Sequence, residues 1–352
     1  MKACTLYFLG LIAAAGYYLV SCTALPGAER TGNAGKPDSE VQQADGVPVY
    51  EKNTITGNKV IFNRIGGYVL EGYEDLLNYD YPLTDIGYFS ADVDCYGKII
   101  HVPDRTRIPA FPGSVYLVTT CGSRALTHFI LDPQYQDRDQ LIAQLSDAAA
   151  RFDGVQIDYE YVPNQDGAYF VQFLSALKNS LSGKFLSVCV PARVRTIEHD
   201  VYSYGSIASI ADSVVVMAYD EHWSASEPGS VASMAWCRQV AAYALSQIPS
   251  DKLVMGIPFY GRSWGSVKTD KAWIYPSISE LMKKQNIRQI HRDDGIPYFR
   301  YKTDIDVVCW FEDAYSIVAR SRMYAAMGIK NISFWRIGQE DREIWAWLAY
   351  RP

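Results

Sequence analysis

The chain has 352 residues, 49% of them hydrophobic and 20% charged, enough apolar surface for a sizeable core and no mark of overall disorder. A formal net charge of −6 with no Lys/Arg cluster leaves no electrostatic footprint for a nucleic acid. The five histidines and seven cysteines fall into no HxxxH or CxxC spacing, so no metal and no cofactor is expected.

Lys2, the apolar run from Leu6 to Val20 and the tetrapeptide Leu19-Val20-Ser21-Cys22 follow the order of a signal peptide over residues 1–21, and the run is short for a spanning helix. The tetrapeptide resembles a bacterial lipobox, which implies a lipid on Cys22 and an exported chain held to a membrane of the bacterial envelope. An uncleaved anchor, or a plain signal peptide with a chance cysteine, are the alternatives. Five cysteines then remain, an odd number that cannot pair completely within one chain. Cys121 and Cys189 fall in or beside predicted strands, where a free thiol behaves as a small apolar side chain. Residues 22–55, rich in Gly, Pro, Ala and polar groups, read as a flexible tether.

From residue 56 to 352 short apolar runs alternate with amphipathic helical patterns, the mark of βα units. Eight strands are predicted, over Gly66 to Leu70, Asp85 to Ser90, Ser114 to Thr120, Gly154 to Tyr161, Leu186 to Pro191, Ser213 to Tyr219, Leu253 to Phe259 and Asn331 to Trp335. Phe170, Phe173, Leu174, Leu177 and Leu181 recur at helical spacing with Gly183 placed to end the helix. Leu141, Leu145 and Ala148 mark a helix before the fourth strand, and Val240 with Ala244 one after the sixth. This pattern fits an α/β closed (β/α)8 TIM barrel or a doubly wound open sheet. Residues 263–310 interrupt the alternation as a small insertion before the last strand, in which 295–301 and 307–311 form a predicted hairpin.

The fourth strand carries the chemistry. Side chains alternate along a strand, so Gln156, Asp158 and Glu160 share one face and Val155, Ile157 and Tyr159 the other. Three polar groups aligned inside a barrel are costly unless they have partners or a task. On spacing alone they fit a catalytic mouth or an exposed edge strand equally well.

Asp153-Gly154-Val155-Gln156-Ile157-Asp158-Tyr159-Glu160 resembles the DGxDxDxE motif of glycoside hydrolase family 18, the chitinase-like (β/α)8 barrels. Gln156 stands where chitinases usually carry Asp, a departure shared by bacterial spore-cortex and cell-wall members. Met217-Ala218-Tyr219-Asp220, Gly256 to Arg262, Trp310 to Asp313 and Phe334 to Gly338 resemble further segments of the family in the same order, and this ordered likeness implies the closed barrel. It also implies a retaining mechanism in which the substrate's own N-acetyl oxygen attacks the anomeric carbon. Glu160 would be the general acid and base, Asp158 would orient the acetamido group, and Tyr219 would bond its oxygen. Asp220 would contact the sugar, and Trp335 would form the floor beneath it. Tyr68, Tyr260 and Trp223 are further candidates for the sugar site, each equally readable as packing. An amide at Gln156 can bond Asp158 without taking its proton, so Asp158 is expected to stay mainly ionised and paired with Glu160. The expected substrate is a β-1,4 polymer containing N-acetylglucosamine, peptidoglycan before chitin. A silent carbohydrate-binding relative, or an endoglycosidase acting on host glycans, are the other readings.

Overall fold

The computed structural model describes residues 52–267 and 270–351. The predicted leader, Cys22 and most of the tether lie outside the described residues. The tether's last residues already belong to the packed body: Lys52 Nζ lies 3.0 and 2.8 Å from the two carboxylate oxygens of Asp341, and Ile55 is buried. The body therefore begins before the predicted boundary at residue 56.

Eight parallel strands form the centre: β1 Arg64–Leu70, β2 Asp85–Val93, β3 Ser114–Thr120, β4 Gly154–Asp158, β5 Phe185–Pro191, β6 Ser213–Met217, β7 Leu253–Pro258 and β8 Asn331–Trp335. Each pairs with the next, and β8 pairs with β1 from Asn331–Arg64 to Phe334–Gly67. The sheet is thus a closed barrel, and all eight strands lie where the apolar runs predict them. Strand parity separates two environments. Val155 and Ile157 of β4, like Leu186, Val188 and Val190 of β5, are fully buried in the large core between sheet and helices. The opposite parity fills the barrel with two small clusters, Tyr68, Phe89 and Val118 in one, Cys189, Val215 and Val254 in the other.

The helix at Gly167–Ser180 presents Phe170, Phe173, Leu174 and Leu177, all fully buried. Beyond it Gly183 adopts a φ of 85°, the left-handed conformation that releases the chain toward β5. The other two predicted helices span Asp137–Ala149 and Met234–Gln247. The first two β-to-β connections carry short 3₁₀ turns, Glu74–Leu76 and Arg105–Arg107, instead of helices.

The insertion is larger than a hairpin. The predicted hairpin is present, as Ile296–Lys302 against Asp306–Trp310. It belongs to a five-stranded antiparallel sheet whose other strands are His291–Asp293, Tyr260–Gly265 and Lys271–Ile274. A helix at Tyr275–Lys284 packs on this sheet around its own core of Ile278, Leu281, Met282, Phe299, Cys309 and Phe311.

Candidate active site

A cleft of about 650 Å³ opens at the C-terminal ends of the barrel strands, the end at which loops carry function in this architecture. The last β4 pairings are Thr120–Asp158 on one side and Ile157–Val188 on the other. The strand therefore stops at Asp158, short of the predicted Tyr161, and Glu160 stands just beyond the ladder in a turn. Tyr159 points into the outer core, 1% exposed, while its carbonyl accepts from the Tyr202 hydroxyl at 2.8 Å in place of a strand partner. Alternation still holds across this step, and Asp158 and Glu160 both line the cleft.

The electrostatics of the pair are set by burial. It pushes the carboxyl of Glu160 well above its ordinary range, and the like charges of Asp158 and Asp220 push it further. Asp158 is raised too, by burial first, with a hydrogen bond from the Cys189 thiol opposing. Asp158 Oδ1 is buried with no hydrogen-bond partner among the described residues. Desolvation thus shifts both carboxyls toward their protonated forms, Asp158 to about 7 and so only part-protonated near neutral pH, and no ion pair to either is found among the described residues. Gln156 does not bond Asp158 either. Its Nε2 donates to Ser187 Oγ at 2.8 Å, which in turn accepts from Ser213 Oγ at 2.9 Å, while its Oε1 is left without a partner. Gln156 therefore lies in the barrel beneath the cleft and does not line it.

Beside the carboxyls, Tyr219 and Asp220 follow the end of β6 and line the cleft. Asp220 has a φ of 60°, tolerated by its short polar side chain. Its Oδ1 accepts from the Tyr260 hydroxyl at 2.6 Å and lies 3.9 Å from Arg262 Nη2. Burial raises the Asp220 carboxyl, and Tyr260 and Arg262 hold it back. The floor is aromatic. The Trp335 ring centroid lies 5.3 Å from that of Tyr68 and 5.2 Å from that of Phe89. Gly87 makes room for this floor, since a Cβ there would come within 2.6 Å of the Tyr68 ring.

Tyr68, Asp158, Glu160, Tyr219, Asp220, Tyr260 and Trp335 thus meet around one cavity. Trp223 does not join them. Its carbonyl accepts from Trp264 Nε1 at 3.3 Å and its amide donates to Ser226 Oγ at 2.9 Å, so it braces the loop after β6. Sequence reasoning missed Phe89, Arg262, Trp273 and Arg336, which also line the cleft. Phe89 sits where the β2–β3 register slips, between Phe89 and Ala91, so alternation cannot assign its face. Trp273 comes from the insertion, where its Nε1 donates to Ser263 Oγ at 2.8 Å. Arg336 follows the recognised Trp335 directly, which was the available signal.

A cleft with an aromatic floor, a raised carboxyl at its edge and a tyrosine hydroxyl in its wall suits proton transfer to a ring-shaped ligand. Residues 128–340 match the model of "Glycosyl hydrolases family 18". Among relatives, the uncharacterized glycosylase YvbX of Bacillus subtilis (strain 168) is 32% identical over 205 residues, covering 54% of this chain and 59% of that protein. The cortical fragment-lytic enzyme of the same organism is 26% identical over 329 residues, covering 86% of this chain and 75% of that protein. The crystal structure of the Bacillus cereus spore cortex-lytic enzyme SleL superposes with a TM-score of 0.74 at 24% identity, over 84% of this chain and 76% of that one. That likeness bears on the fold.

Proposed function

Because the chain belongs to glycosyl hydrolase family 18, we propose that it is a retaining glycosidase that cleaves β-1,4 linkages next to N-acetylglucosamine in peptidoglycan. The observation that carries this reading is the pair of carboxyls, buried Asp158 and half-buried Glu160, raised above their ordinary range at the edge of a cleft floored by Trp335.

Glu160, kept protonated by burial and by its acidic neighbours, donates its proton to the glycosidic oxygen as the bond to the anomeric carbon breaks. The substrate's acetamido oxygen attacks that carbon from the opposite face and closes an oxazolinium ring, so no second enzymic carboxylate need act as nucleophile. Asp158, in its ionised form, accepts a hydrogen bond from the acetamido N–H and stabilises the positive charge that develops on that nitrogen. The Tyr219 hydroxyl holds the acetamido oxygen, and the Tyr260–Asp220 pair fixes the far side of the ring. Glu160, now ionised, takes a proton from the water that opens the oxazolinium, restoring the acid with retained configuration. Peptidoglycan is favoured over chitin by Gln156, by the leader expected from the sequence before Cys22, and by relatives named as cortex-lytic enzymes. On the same reading the enzyme works in the bacterial envelope, tethered through Cys22.

The test is incubation of the soluble barrel with purified peptidoglycan and with chitin oligosaccharides beside Glu160→Gln. Reducing-end release that depends on Glu160 and is faster on peptidoglycan is expected. Binding without Glu160-dependent release would leave a carbohydrate-binding protein in its place. Replacement of Cys22 by Ala should move the full chain from the membrane to the soluble fraction, and a protein that stays with the membrane would refute the anchor.

A further inference from the structure

Arg336, one residue beyond the floor tryptophan, is half-buried in the wall of the cleft. Its guanidinium carbon lies 4.9 Å from the centre of the Tyr73 ring, a cation–π contact. No carboxylate among the described residues pairs with it. The acidic groups at this end of the cleft are engaged elsewhere: Glu71 accepts from Ser90 Oγ at 3.0 Å and lies 3.9 Å from Arg107, and Asp92 accepts from Thr120 Oγ1 at 3.0 Å. The contrast with Arg262, the cleft's other arginine, is direct, since Arg262 lies 3.3 Å from Asp270 and 3.9 Å from Asp220. A partly desolvated guanidinium without a counter-ion is costly in the free protein. In keeping with this, burial lowers its affinity for its proton, and Tyr73 alone opposes that.

We infer that Arg336 is a specificity-determining residue that binds a carboxylate carried by the sugar chain beside the cleavage site. The inference rests on the proposed glycosidase reading and deepens it. A chitin chain offers no carboxylate. In peptidoglycan the group comes from one of two sources: the free lactyl ether of N-acetylmuramic acid, or the stem peptide attached to that ether. A planar carboxylate accepts two parallel hydrogen bonds from the guanidinium fork and supplies the missing counter-ion.

Binding, not turnover, decides the matter. The Glu160→Gln protein is titrated by calorimetry with soluble tetrasaccharides of alternating N-acetylglucosamine and N-acetylmuramic acid. Three forms are compared: the free lactyl acid, its primary amide, and the form carrying stem peptides. A carboxylate form is expected to bind about ten- to hundredfold more tightly than the amide. That ratio should fall to near one when Arg336→Gln is added, and Arg336→Lys, which keeps the charge but loses the fork, should lie between. Preference for the lactyl acid or for the peptide-bearing form tells which carboxylate is read. Equal affinities for all three forms, or a preference that survives Arg336→Gln, would overturn the inference. Wild-type turnover of neither peptidoglycan nor chitin would sink the glycosidase reading instead, while the binding ratios still decide the role of Arg336.

Discussion

Glu312, just before the last α-helix at Ala314–Ala326, and Asp158, at the end of β4, are 2% and 7% exposed. Glu312 has both oxygens engaged: Oε1 lies 2.7 Å from Arg320 Nη2, and Oε2 accepts from Ser316 Oγ at 2.6 Å. Burial pulls its carboxyl upward, and these two partners pull it back. Asp158 has an unpartnered oxygen, no cation at hand and Glu160 two residues on, so nothing of comparable strength opposes its desolvation. Burial with compensation joins the last helix to the loop after β6, since Arg320 also donates to the carbonyl of Ala232. Burial without compensation holds protons where a reaction can use them.

The largest expected effect comes from breaking the compensated side. Arg320→Met would leave Glu312 buried with only the Ser316 hydroxyl as partner, and should cost about 3–5 kcal/mol of stability by denaturant melting. Adding Glu312→Gln should return much of that loss. If the single variant is as stable as the wild type, the pair is not what joins these elements. On the other side, Tyr219→Phe removes one donor aimed at charge that develops in the reaction. It should lower kcat by about 10²–10³-fold, or about 2.7–4 kcal/mol, with little change in thermal stability. A rate within a few fold of wild type would remove Tyr219 from the mechanism.

A smaller effect has the opposite sign. The folded-state pKa of Glu160 is raised above its ordinary 4.5, so between those two values the folded state binds more protons than the unfolded one. Stability contributed by this site therefore falls as pH rises through that window. Glu160→Gln should be inactive yet more stable at pH 8, by about 1 kcal/mol or roughly 2–4 °C in Tm, and the gain should vanish near pH 4. A Tm gain equal at both pH values would argue against an uncompensated carboxyl. Smallest of all, Gln156→Asp adds a third carboxyl below Asp158 and should shift the pH–rate profile by less than about one pH unit. An unchanged profile would mean that the amide at this position does not tune the pair.

How much of this was legible in the sequence differs between the two regions. Both parities of β4 could be read, because Val155 and Ile157 are bounded by a helix signal on one side and polar groups on the other, and the strand's period of two did the rest. Barrel closure was not local: it depends on Asn331 pairing with Arg64, far apart in the chain, and came only with the family likeness. The roles of Tyr68, Tyr260 and Trp335 came from that likeness too. The structure places all three along the cleft, while Trp223 is not among the residues that line it. The raised carboxyl of Asp158 could not be read from spacing because it follows from burial, and the expected bond from Gln156 to Asp158 is not made. Ser187, on the adjacent strand, takes that bond. Arg336 could be placed beside Trp335 from the sequence, but its lack of a counter-ion could not be read there, since that is a property of everything around it.

The pH dependence of kcat/KM on a soluble N-acetylated glycan tests the uncompensated pair most directly. If Glu160 is the acid and burial holds its proton, the basic limb of the profile should fall above pH 7, well beyond its ordinary 4.5. A rate that collapses above about pH 5 would show an ordinary, solvated carboxylate and would contradict the assignment of Glu160 as the buried proton donor.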